Sequence, residues 1–346
     1  MTMQRNLTYA AAIDEATCLA MERDHDLFAF GIGVDYSSAV FGSMHDANAQ
    51  FQDRVMDTPA MENALTGIAI GAAAAGKRPL MIHLRNDFMF LAVDQLVNLA
   101  AKWRHMYGGK AGHLPITVRG IIGRGWGQGA THSQSIQSLF AHFPGLSVVM
   151  PTAPADAKGL LLSALTAEDP VIILEHRSLY NLEGPVSEGW APTLIGKARI
   201  AREGGDVTIV ATSFMVVEAE RAADELAKMG VSVEIIDLRS IRPLDHETIL
   251  ASVAKTRHLL VADTSWVSFG VASEVAAIVA ELGFHHLKAP IVRLGMADCP
   301  APVSHVLEQA FYPKPSTITA RVADLLGISY TDEDAPTYTD NFRGPY

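Results

Sequence analysis

Residues 57–83 read DTPAMENALTGIAIGAAAAGKRPLMIH. A long run of small and apolar residues predicts a helix over 59–75, and Gly76 is a suitable residue to end it. Beyond the glycine, residues 79–83 form a short, mostly apolar run without polar alternation. Such a run is typical of a strand in a parallel sheet whose two faces are covered by helices.

Short apolar runs and helical patterns alternate in the same way along most of the chain. In the first half, further strands are predicted at 27–31, 115–119, 146–150 and 171–174, and helices at 9–22, 88–103 and 154–165. In the second half, strands are predicted at 207–211, 231–238, 259–262 and 290–294, and helices at 216–229, 246–255, 270–282, 303–311 and 315–325. This alternation predicts an α/β protein with two doubly wound domains.

A looser segment over residues 178–202 separates the two series. The residues that interrupt regular structure in it are Gly184, Pro185, Gly189 and Pro192. We therefore expect a first domain over residues 1–190 and a second over 191–328. The remaining residues, 329–346, are expected to form a polar tail.

The composition is that of a globular protein, since 49% of the 346 residues are hydrophobic and 19% are charged. The net charge of −11 argues against a nucleic-acid-binding protein that relies on a basic face. Cys18 and Cys299 lie far apart in the sequence, which predicts neither a disulfide framework nor a cysteine-based metal cluster. Apolar runs are shorter than the ~20 residues that span a bilayer, and the N-terminus does not resemble a secretory signal. A cytoplasmic protein is expected.

Several common catalytic motifs are absent from the sequence. No G-x-G-x-x-G follows the first predicted strand, which argues against a simple dinucleotide-binding domain. There is no Walker loop and no G-x-S-x-G nucleophile elbow. No helix carries a His/Glu pair at zinc-binding spacing. The chemistry must therefore be sought in less common patterns.

Glu62 is the first candidate functional residue. Thr58 is a suitable N-cap and Pro59 a suitable first helical residue, so Glu62 is expected in the first turn, near the positive end of the helix dipole. One interpretation is an ordinary stabilising acid. The other is a carboxylate with a specific partner, because the helix that follows is apolar on all sides and is expected to be buried.

Phe88 is the second candidate, because it comes just after the strand predicted at 79–83. Ligands of α/β proteins bind at this carboxyl edge of the sheet, although a core aromatic is the alternative interpretation. Asp94, Gln95 and Asn98 follow on an otherwise apolar helix. They predict a polar strip that is buried at a subunit contact.

A glycine-rich loop contains the third candidate, His132. Residues 119–135 read RGIIGRGWGQGATHSQS and follow a predicted strand. A loop so rich in glycine can approach a ligand closely, and a histidine at its end is a candidate acid, base or hydrogen-bond donor. Arg119 and Arg124 either attract a carboxylate or phosphate or are solvated.

These segments, in this order, resemble the beta subunits of the thiamine-diphosphate-dependent 2-oxoacid dehydrogenases. That family includes the first components of pyruvate, branched-chain and acetoin dehydrogenases, and the resemblance covers about residues 5–328. The matching residues are Asp57-Thr58-Pro59 with Glu62, Gly67 to Gly71, Asp87-Phe88, Asp94-Gln95 with Asn98, Ala100-Ala101-Lys102, Gly108-Gly109, His132 to Ser135, Pro144-Gly145-Leu146, Pro151, Asp156 to Leu160, Asp169-Pro170-Val171, Ile236 to Arg239 and Pro243-Leu244-Asp245.

The resemblance implies a transketolase-type pyrimidine-binding domain over residues 1–190 and a transketolase C-terminal-type domain over 191–328. Glu62 matches the glutamate that bonds a ring nitrogen of the cofactor's aminopyrimidine, a charge-assisted hydrogen bond. Phe88 matches the aromatic residue that stacks on that ring. His132 matches the histidine that faces the substrate and the acyl acceptor.

The resemblance also implies partners and metals. The diphosphate and its Mg²⁺ are held by a Gly-Asp-Gly…Asn motif of the alpha subunit, and no Gly-Asp-Gly occurs in this chain, which implies an α2β2 heterotetramer. Backbone carbonyls near Ala164, Ala167 and Asp169 match a potassium site of some members. A lipoyl acyltransferase is a further implied partner. The chain departs from the family at residues 31–35, where Gly-Ile-Gly-Val-Asp replaces a common Gly-Glu-Asp motif.

The implied activity is that of an oxidoreductase, which decarboxylates a 2-oxoacid and transfers the acyl group to a lipoyl acceptor. Two alternatives stay open. One is a carbon–carbon bond-forming transferase of the same fold, an acyloin or ketol synthase, and the other is a non-catalytic assembly subunit. The sequence does not identify the 2-oxoacid, because side chains from both subunits form the pocket.

Overall fold

The computed structural model describes residues 4–36, 38–123 and 127–331. Among these residues, every helix is too short or too polar to cross a membrane. The chain forms two compact units. The first comprises the residues up to Ile122, Leu139–Ile195 and Ser240–Pro243; the second comprises Gly123–Ser138, Gly196–Arg239 and the residues from Leu244 onwards.

The bounds of the regular elements are as follows. The strands are β1 (Gln4–Thr8), β2 (Leu27–Gly31), β3 (Val55–Asp57), β4 (Arg78–His83), β5 (Thr117–Ile122), β6 (Ser147–Val149), β7 (Val171–His176), β8 (Glu183–Ser187), β9 (Arg199–Arg202), β10 (Val207–Ala211), β11 (Val233–Asp237), β12 (Ser240–Arg242), β13 (Leu259–Trp266) and β14 (Val292–Met296). The helices are α1 (Tyr9–Arg23), α2 (Ala39–Gly42), α3 (His45–Gln50), α4 (Glu62–Ala74), α5 (Trp103–Met106), α6 (Gln137–Ala141), α7 (Pro154–Thr166), α8 (Phe214–Lys228), α9 (His246–Thr256), α10 (Val271–Leu282), α11 (His305–Phe311) and α12 (Pro315–Leu326). Short 3₁₀ segments lie at Gln52–Arg54, Asn86–Ala92, Arg177–Leu179 and Phe284–His286, and a π-helical segment at Gln95–Ala100.

The first unit is built on a seven-stranded sheet in the order β12-β6-β7-β5-β4-β2-β3. All neighbouring strands are parallel except β12, which runs antiparallel to β6 at the edge. Strands β5 and β7 are buried along their whole length. The mostly apolar runs of these strands explain this burial, since a strand covered by helices on both faces has no polar side to expose.

The second unit is built on a five-stranded sheet in the order β14-β13-β10-β11-β9. Only β9, at the edge, is antiparallel to its neighbour. From the first strand of the parallel set, β10, the chain passes to β11 on one side and later to β13 on the other. The carboxyl end of β10 is therefore the topological switch point of this sheet. The α/β class and the two doubly wound sheets predicted from the sequence are confirmed.

Two predicted helices differ from the structure. The helix expected over 59–75 begins only at Glu62. The helix expected over 88–103 is instead a 3₁₀ segment, a π-helical segment and α5. This part of the chain lies against α4: Asn63 Nδ2 donates to Leu91 O at 3.2 Å, and a Cβ on Gly67 would lie 3.6 Å from Gln95 Oε1. The helical period of the sequence does not encode this contact with α4. The chain follows an irregular path where the contact is made.

The predicted domain boundary near residue 190 stays a prediction. The compact units change over between Ile195 and Gly196, but residues 123–138 belong to the second unit and residues 240–243 to the first. Of the predicted tail, residues 332–346 lie outside the described residues, as do Arg124 and Trp126 of the predicted glycine-rich loop.

Candidate functional site

The sheet edge in front of α4 determines where Glu62 lies. At the end of β3, Asp57 Oδ1 accepts a hydrogen bond from Gly33 N at 2.5 Å. Four residues then separate Asp57 from the first helical residue. The expected cap is therefore wrong: Met61 occupies the N-cap position, and the buried Oγ1 of Thr58 has no hydrogen-bond partner. The chain passes through a bend at Ala60 before it enters the helix.

Glu62 is the first residue of α4 and is only 6% exposed. Within residues 4–36, 38–123 and 127–331, no side-chain or backbone donor is hydrogen-bonded to its carboxylate. A buried carboxylate without a donor is unfavourable unless a ligand supplies one. The arrangement can therefore receive an N–H group of a bound molecule, whereas a stabilising acid in the first turn needs no such partner.

Phe88 lies in the 3₁₀ segment at Asn86–Ala92, which packs against α4 through the bond from Asn63 to Leu91. Its side chain is 39% exposed. The alternative of a core aromatic is thus wrong for this chain by itself. Glu62 and Phe88 belong to two elements of the first unit that are in contact. A flat group that bonded Glu62 could therefore find an aromatic surface nearby.

His83 ends β4 at the same edge of the sheet and was not singled out by the sequence. It is 5% exposed, and its Nε2 has no hydrogen-bond partner. Burial lowers the pKa of His83 to about 4, so the ring is neutral at pH 7. The signal that could have found it is its position as the last residue of an apolar strand, where α/β proteins place ligand-binding groups.

Arg119 is a structural residue, and both interpretations offered by the sequence are wrong. It is fully buried in β5 and donates to both carboxylate oxygens of Glu175 in β7, at 2.5 and 2.9 Å. It also donates to Ser43 Oγ at 2.7 Å, and Tyr180 OH donates to Glu175 at 2.6 Å. A bidentate pair of this kind neutralises the charge inside the sheet and leaves no cation for a ligand.

The same cluster holds an unusual turn that the sequence did not predict. Ala39, Val40 and Phe41, all in α2, have φ values of 40°, 51° and 58°, which is the left-handed region. The guanidinium of Arg177 lies 4.2 Å from the Phe41 ring centre and 5.1 Å from that of Tyr180. These cation–π contacts, with the bond from Arg119 to Ser43, hold a turn that ordinary residues adopt only at a cost.

Among the residues that the structure describes, only one face of α4 is covered, which corrects the expectation of a helix buried on all sides. Glu62, Leu65 and Thr66 belong to the covered face, whereas Ile68 is 59% exposed. The two following segments contact α4 and carry further exposed apolar side chains, namely Phe90, Leu91 and Leu99. Exposed apolar residues clustered on adjacent elements mark a protein contact.

The predicted polar strip is exposed in the single chain. Asn98 Nδ2 donates to Asp94 Oδ1 at 2.7 Å, and Lys102 Nζ donates to Asn98 Oδ1 at 2.8 Å. Gln95 lies against α4 beside Gly67. The strip lies within the exposed apolar segment, so its burial at a subunit contact stays a prediction.

His132 belongs to the second unit, whereas Glu62 and Phe88 belong to the first. It is partly buried, and its Nδ1 lies 3.1 Å from Thr131 Oγ1. The loop before it packs closely, since a Cβ on Gly129 would lie 2.7 Å from a methyl group of Val303. After it, Ser135 O accepts a hydrogen bond from Ser265 Oγ at 2.7 Å. His132 is thus held in a loop fastened on both sides.

The proposed potassium ligands fit a cation only in part. Ala164 O accepts a hydrogen bond from Thr117 Oγ1 at 3.0 Å, and Ala167 O accepts one from Arg78 at 2.9 Å. A guanidinium on the Ala167 carbonyl already supplies positive charge there. Asp169 pairs with Arg104 through one oxygen, while its other oxygen, Oδ1, is buried without a hydrogen-bond partner. The potassium site on the backbone carbonyls of these residues stays a prediction.

Comparison with protein families gives two matches. The pyrimidine-binding domain of transketolase matches residues 5–183, and the transketolase C-terminal domain matches residues 196–318. Among solved structures, a split-gene transketolase, an inactive beta4 tetramer, superposes with a TM-score of 0.76 at 22% identity. The match covers 94% of this chain and 99% of that chain, and it supports the fold alone.

Comparison with curated proteins gives relatives of nearly the same length. The beta subunit of acetoin:2,6-dichlorophenolindophenol oxidoreductase from Cupriavidus necator is 42% identical, over 92% of this chain and 97% of the relative. The 2-oxoisovalerate dehydrogenase beta subunit from Bacillus subtilis is 39% identical, over 92% and 98%. The mitochondrial pyruvate dehydrogenase E1 beta subunit from Bos taurus is 38% identical, over 93% and 91%.

Proposed function

The chain belongs to the transketolase-type beta subunits of the thiamine-diphosphate-dependent 2-oxoacid dehydrogenases, and we propose that it forms the half of their active site that binds the pyrimidine ring. It is an oxidoreductase subunit that works with an alpha subunit. In the reaction a 2-oxoacid loses carbon dioxide, and its acyl group passes to an acceptor.

The observation that carries the proposal is the Glu62 carboxylate, buried at the first residue of α4 without a donor from the described residues. The residues present fit thiamine diphosphate, because the protonated ring nitrogen of an aminopyrimidine offers the missing N–H partner. When bound, this cofactor supplies the carbon nucleophile that attacks the keto group of the substrate. Glu62 holds a proton at the ring nitrogen.

Phe88 and His132 have separate roles in this proposal. The partly exposed ring of Phe88 stacks on the pyrimidine and keeps water from one of its faces. His132, at the end of the glycine-rich loop, faces the substrate and the acceptor, where it holds or moves a proton. Neither role requires a metal ligand from these residues.

The alpha subunit completes the site. The sequence lacks a Gly-Asp-Gly motif, so the partner holds the diphosphate and Mg²⁺. The uncovered face of α4 and the exposed side chains of Phe90, Leu91 and Leu99 support a protein contact in the first unit. We infer that this chain and the alpha subunit form an α2β2 heterotetramer. We also infer that the acyl group passes to the lipoyl group of an acyltransferase.

The proposal is tested on the complex of this chain with its alpha subunit. Calorimetry measures thiamine diphosphate binding. Reduction of 2,6-dichlorophenolindophenol and release of carbon dioxide are then each measured with pyruvate, 2-oxoisovalerate and acetoin. Dye reduction with release of carbon dioxide from a 2-oxoacid is the expected result. A complex that binds no thiamine diphosphate contradicts the proposal.

The substrate panel also tests a second candidate. Two relatives named as acetoin oxidoreductase subunits are 42% and 40% identical to this chain, close to the 39% of the 2-oxoisovalerate relative. Dye reduction with acetoin and without carbon dioxide release identifies acyloin cleavage as the activity. Coupling of the two-carbon unit to an added aldehyde, without transfer to lipoamide, identifies a carbon–carbon bond-forming transferase instead.

A further inference from the structure

A buried polar cluster lies in the second unit at the carboxyl end of β13. Its centre is Asp263, which is fully buried. Asp263 Oδ1 accepts hydrogen bonds from Gln137 Nε2 at 2.7 Å and from Thr212 Oγ1 at 2.9 Å. Asp263 Oδ2 accepts one from Val271 N, the first residue of α10, at 3.0 Å. Both oxygens are therefore occupied by groups of this chain.

This cluster occupies the switch point between β10 and β13, the place where open α/β sheets bind ligands. The turn from β13 to α10 is shaped around Asp263, because a Cβ on Gly270 would lie 3.1 Å from Asp263 Oδ2 and 2.3 Å from Trp266 O. With Asp263, Gln137 and Thr212 fully buried and bonded to one another, the crevice is filled by side chains of the protein itself. The role of the cluster is therefore to support the segments that are bonded to it.

The glycine-rich loop is hydrogen-bonded to this cluster. Gln137, the first residue of α6, reaches Asp263 and also donates to Thr264 Oγ1 at 3.2 Å. Ser135 O accepts the bond from Ser265. Three successive residues of β13, numbers 263–265, thus bond the end of this loop at Ser135 and the start of α6 at Gln137. His132 precedes Gln137 by only five positions.

We propose that Gln137, held by Asp263, is a positioning residue that fixes His132 at the site of acyl transfer. The inference rests on the role of His132 in the proposed function. A buried carboxylate that accepts a hydrogen bond is a strong anchor. The segment between His132 and Gln137 is also bonded to β13 through Ser135. Misplacement of a reacting group by about 1 Å lowers rates by roughly 10²-fold.

The test is a double-mutant cycle in the complex of this chain with its alpha subunit. Gln137→Leu replaces the amide by an apolar side chain that is one atom shorter and removes both of its hydrogen bonds. It is expected to lower kcat for lipoamide acylation by roughly 10²-fold with little change in KM. In a His132→Ala background the same change is expected to lower kcat by less than about 2-fold, because the group it positions is gone.

The cycle separates the inference from the proposed function. If Gln137→Leu lowers kcat equally in both backgrounds, the residue acts on stability and the inference is overturned. Full activity of His132→Ala also overturns the inference. The proposed function is tested separately, by thiamine diphosphate binding to the same complex. Glu281→Gln, an exposed acid on α10, is the matched control and is expected to leave kcat unchanged.

A rescue variant keeps the inference testable if Gln137→Leu folds poorly. Gln137→Glu places two carboxylates next to each other and is expected to lower kcat. The added change Asp263→Asn restores a hydrogen-bond donor opposite an acceptor. The double variant is therefore expected to recover most of the lost kcat. Failure of the double variant to recover activity contradicts the inference. Deuterium uptake of residues 127–137 is expected to rise in Gln137→Glu and to return in the double variant, while uptake of β11 stays constant; a rise across the whole second unit indicates unfolding instead.

Discussion

Arg119 and Glu175 form a bidentate ion pair between β5 and β7, with N–O distances of 2.5 and 2.9 Å. Both side chains are almost completely buried, at 0% and 1% exposed. Tyr180 and Ser43 complete the hydrogen bonding of the pair. Because the pair is inside the sheet, removal of either charge leaves the other without compensation.

Glu175→Gln is expected to lower the free energy of unfolding by about 3–5 kcal/mol, since it leaves the Arg119 charge buried and unpaired. Urea unfolding followed by circular dichroism measures the change. The control is Lys77→Ala, which breaks the exposed pair with Asp26. That change is expected to leave the free energy of unfolding nearly unchanged, because both side chains are exposed to solvent. Equal effects of the two changes would show that the buried pair is not the stabilising element.

Glu62→Gln is expected to lower activity of the assembled enzyme by roughly 10²-fold or more, because the amide can no longer hold the proton at the pyrimidine nitrogen. The measurement is dye reduction with the preferred 2-oxoacid at saturating thiamine diphosphate. Glu274→Gln, an exposed acid in the first turn of α10, is the matched control. Activity of Glu62→Gln within 2-fold of the control would refute the assigned role.

Phe88→Ala is expected to weaken thiamine diphosphate binding by about 10-fold, the equivalent of a lost stacking contact of ~1.4 kcal/mol. Calorimetry of the complex with the alpha subunit measures it. Phe284→Ala removes an exposed aromatic of the second unit and is the control. If both variants bind thiamine diphosphate equally well, Phe88 is not the stacking residue.

His83 makes unfolding depend on pH. Its pKa in the folded protein is lowered by burial from 6.5 to about 4. Between these values the unfolded chain binds a proton that the folded chain does not, so stability falls as the pH is lowered through this window, by about 3 kcal/mol from this residue. His83→Leu is expected to remove that part of the slope in urea unfolding at pH 4 to 7. His25→Leu, on the exposed surface, is expected to retain it.

Gly145 lies close to the backbone of another segment, and Gly189 is the control. Both have positive φ, at 97° and 70°. A Cβ on Gly145 would lie 1.8 Å from Ala101 O, whereas the described residues leave the space around a Cβ on Gly189 open to 4 Å. Gly145→Ala is therefore expected to destabilise the protein by about 3 kcal/mol or more, and Gly189→Ala by about 1 kcal/mol. Equal losses in urea unfolding would refute the close approach.

Part of the candidate site followed from the sequence. The position of Glu62 at the start of a helix and that of Phe88 after β4 were predicted, because both follow from local patterns of apolar residues and turn residues. The capping role of Thr58 was wrong because capping depends on where the chain leaves the sheet. His83 was missed because its burial depends on the segment that covers the sheet edge.

The sequence by itself determined the class of the fold and the order of its elements. Apolar runs and helical periods are local, and they predicted β2 and β10 with their observed bounds. Only the tertiary structure decided the partners of particular side chains. Arg119 meets Glu175 across 56 positions, and Gln137 meets Asp263 across 126. The order and register of strands in the sheets bring such residues together, and no local pattern encodes that order.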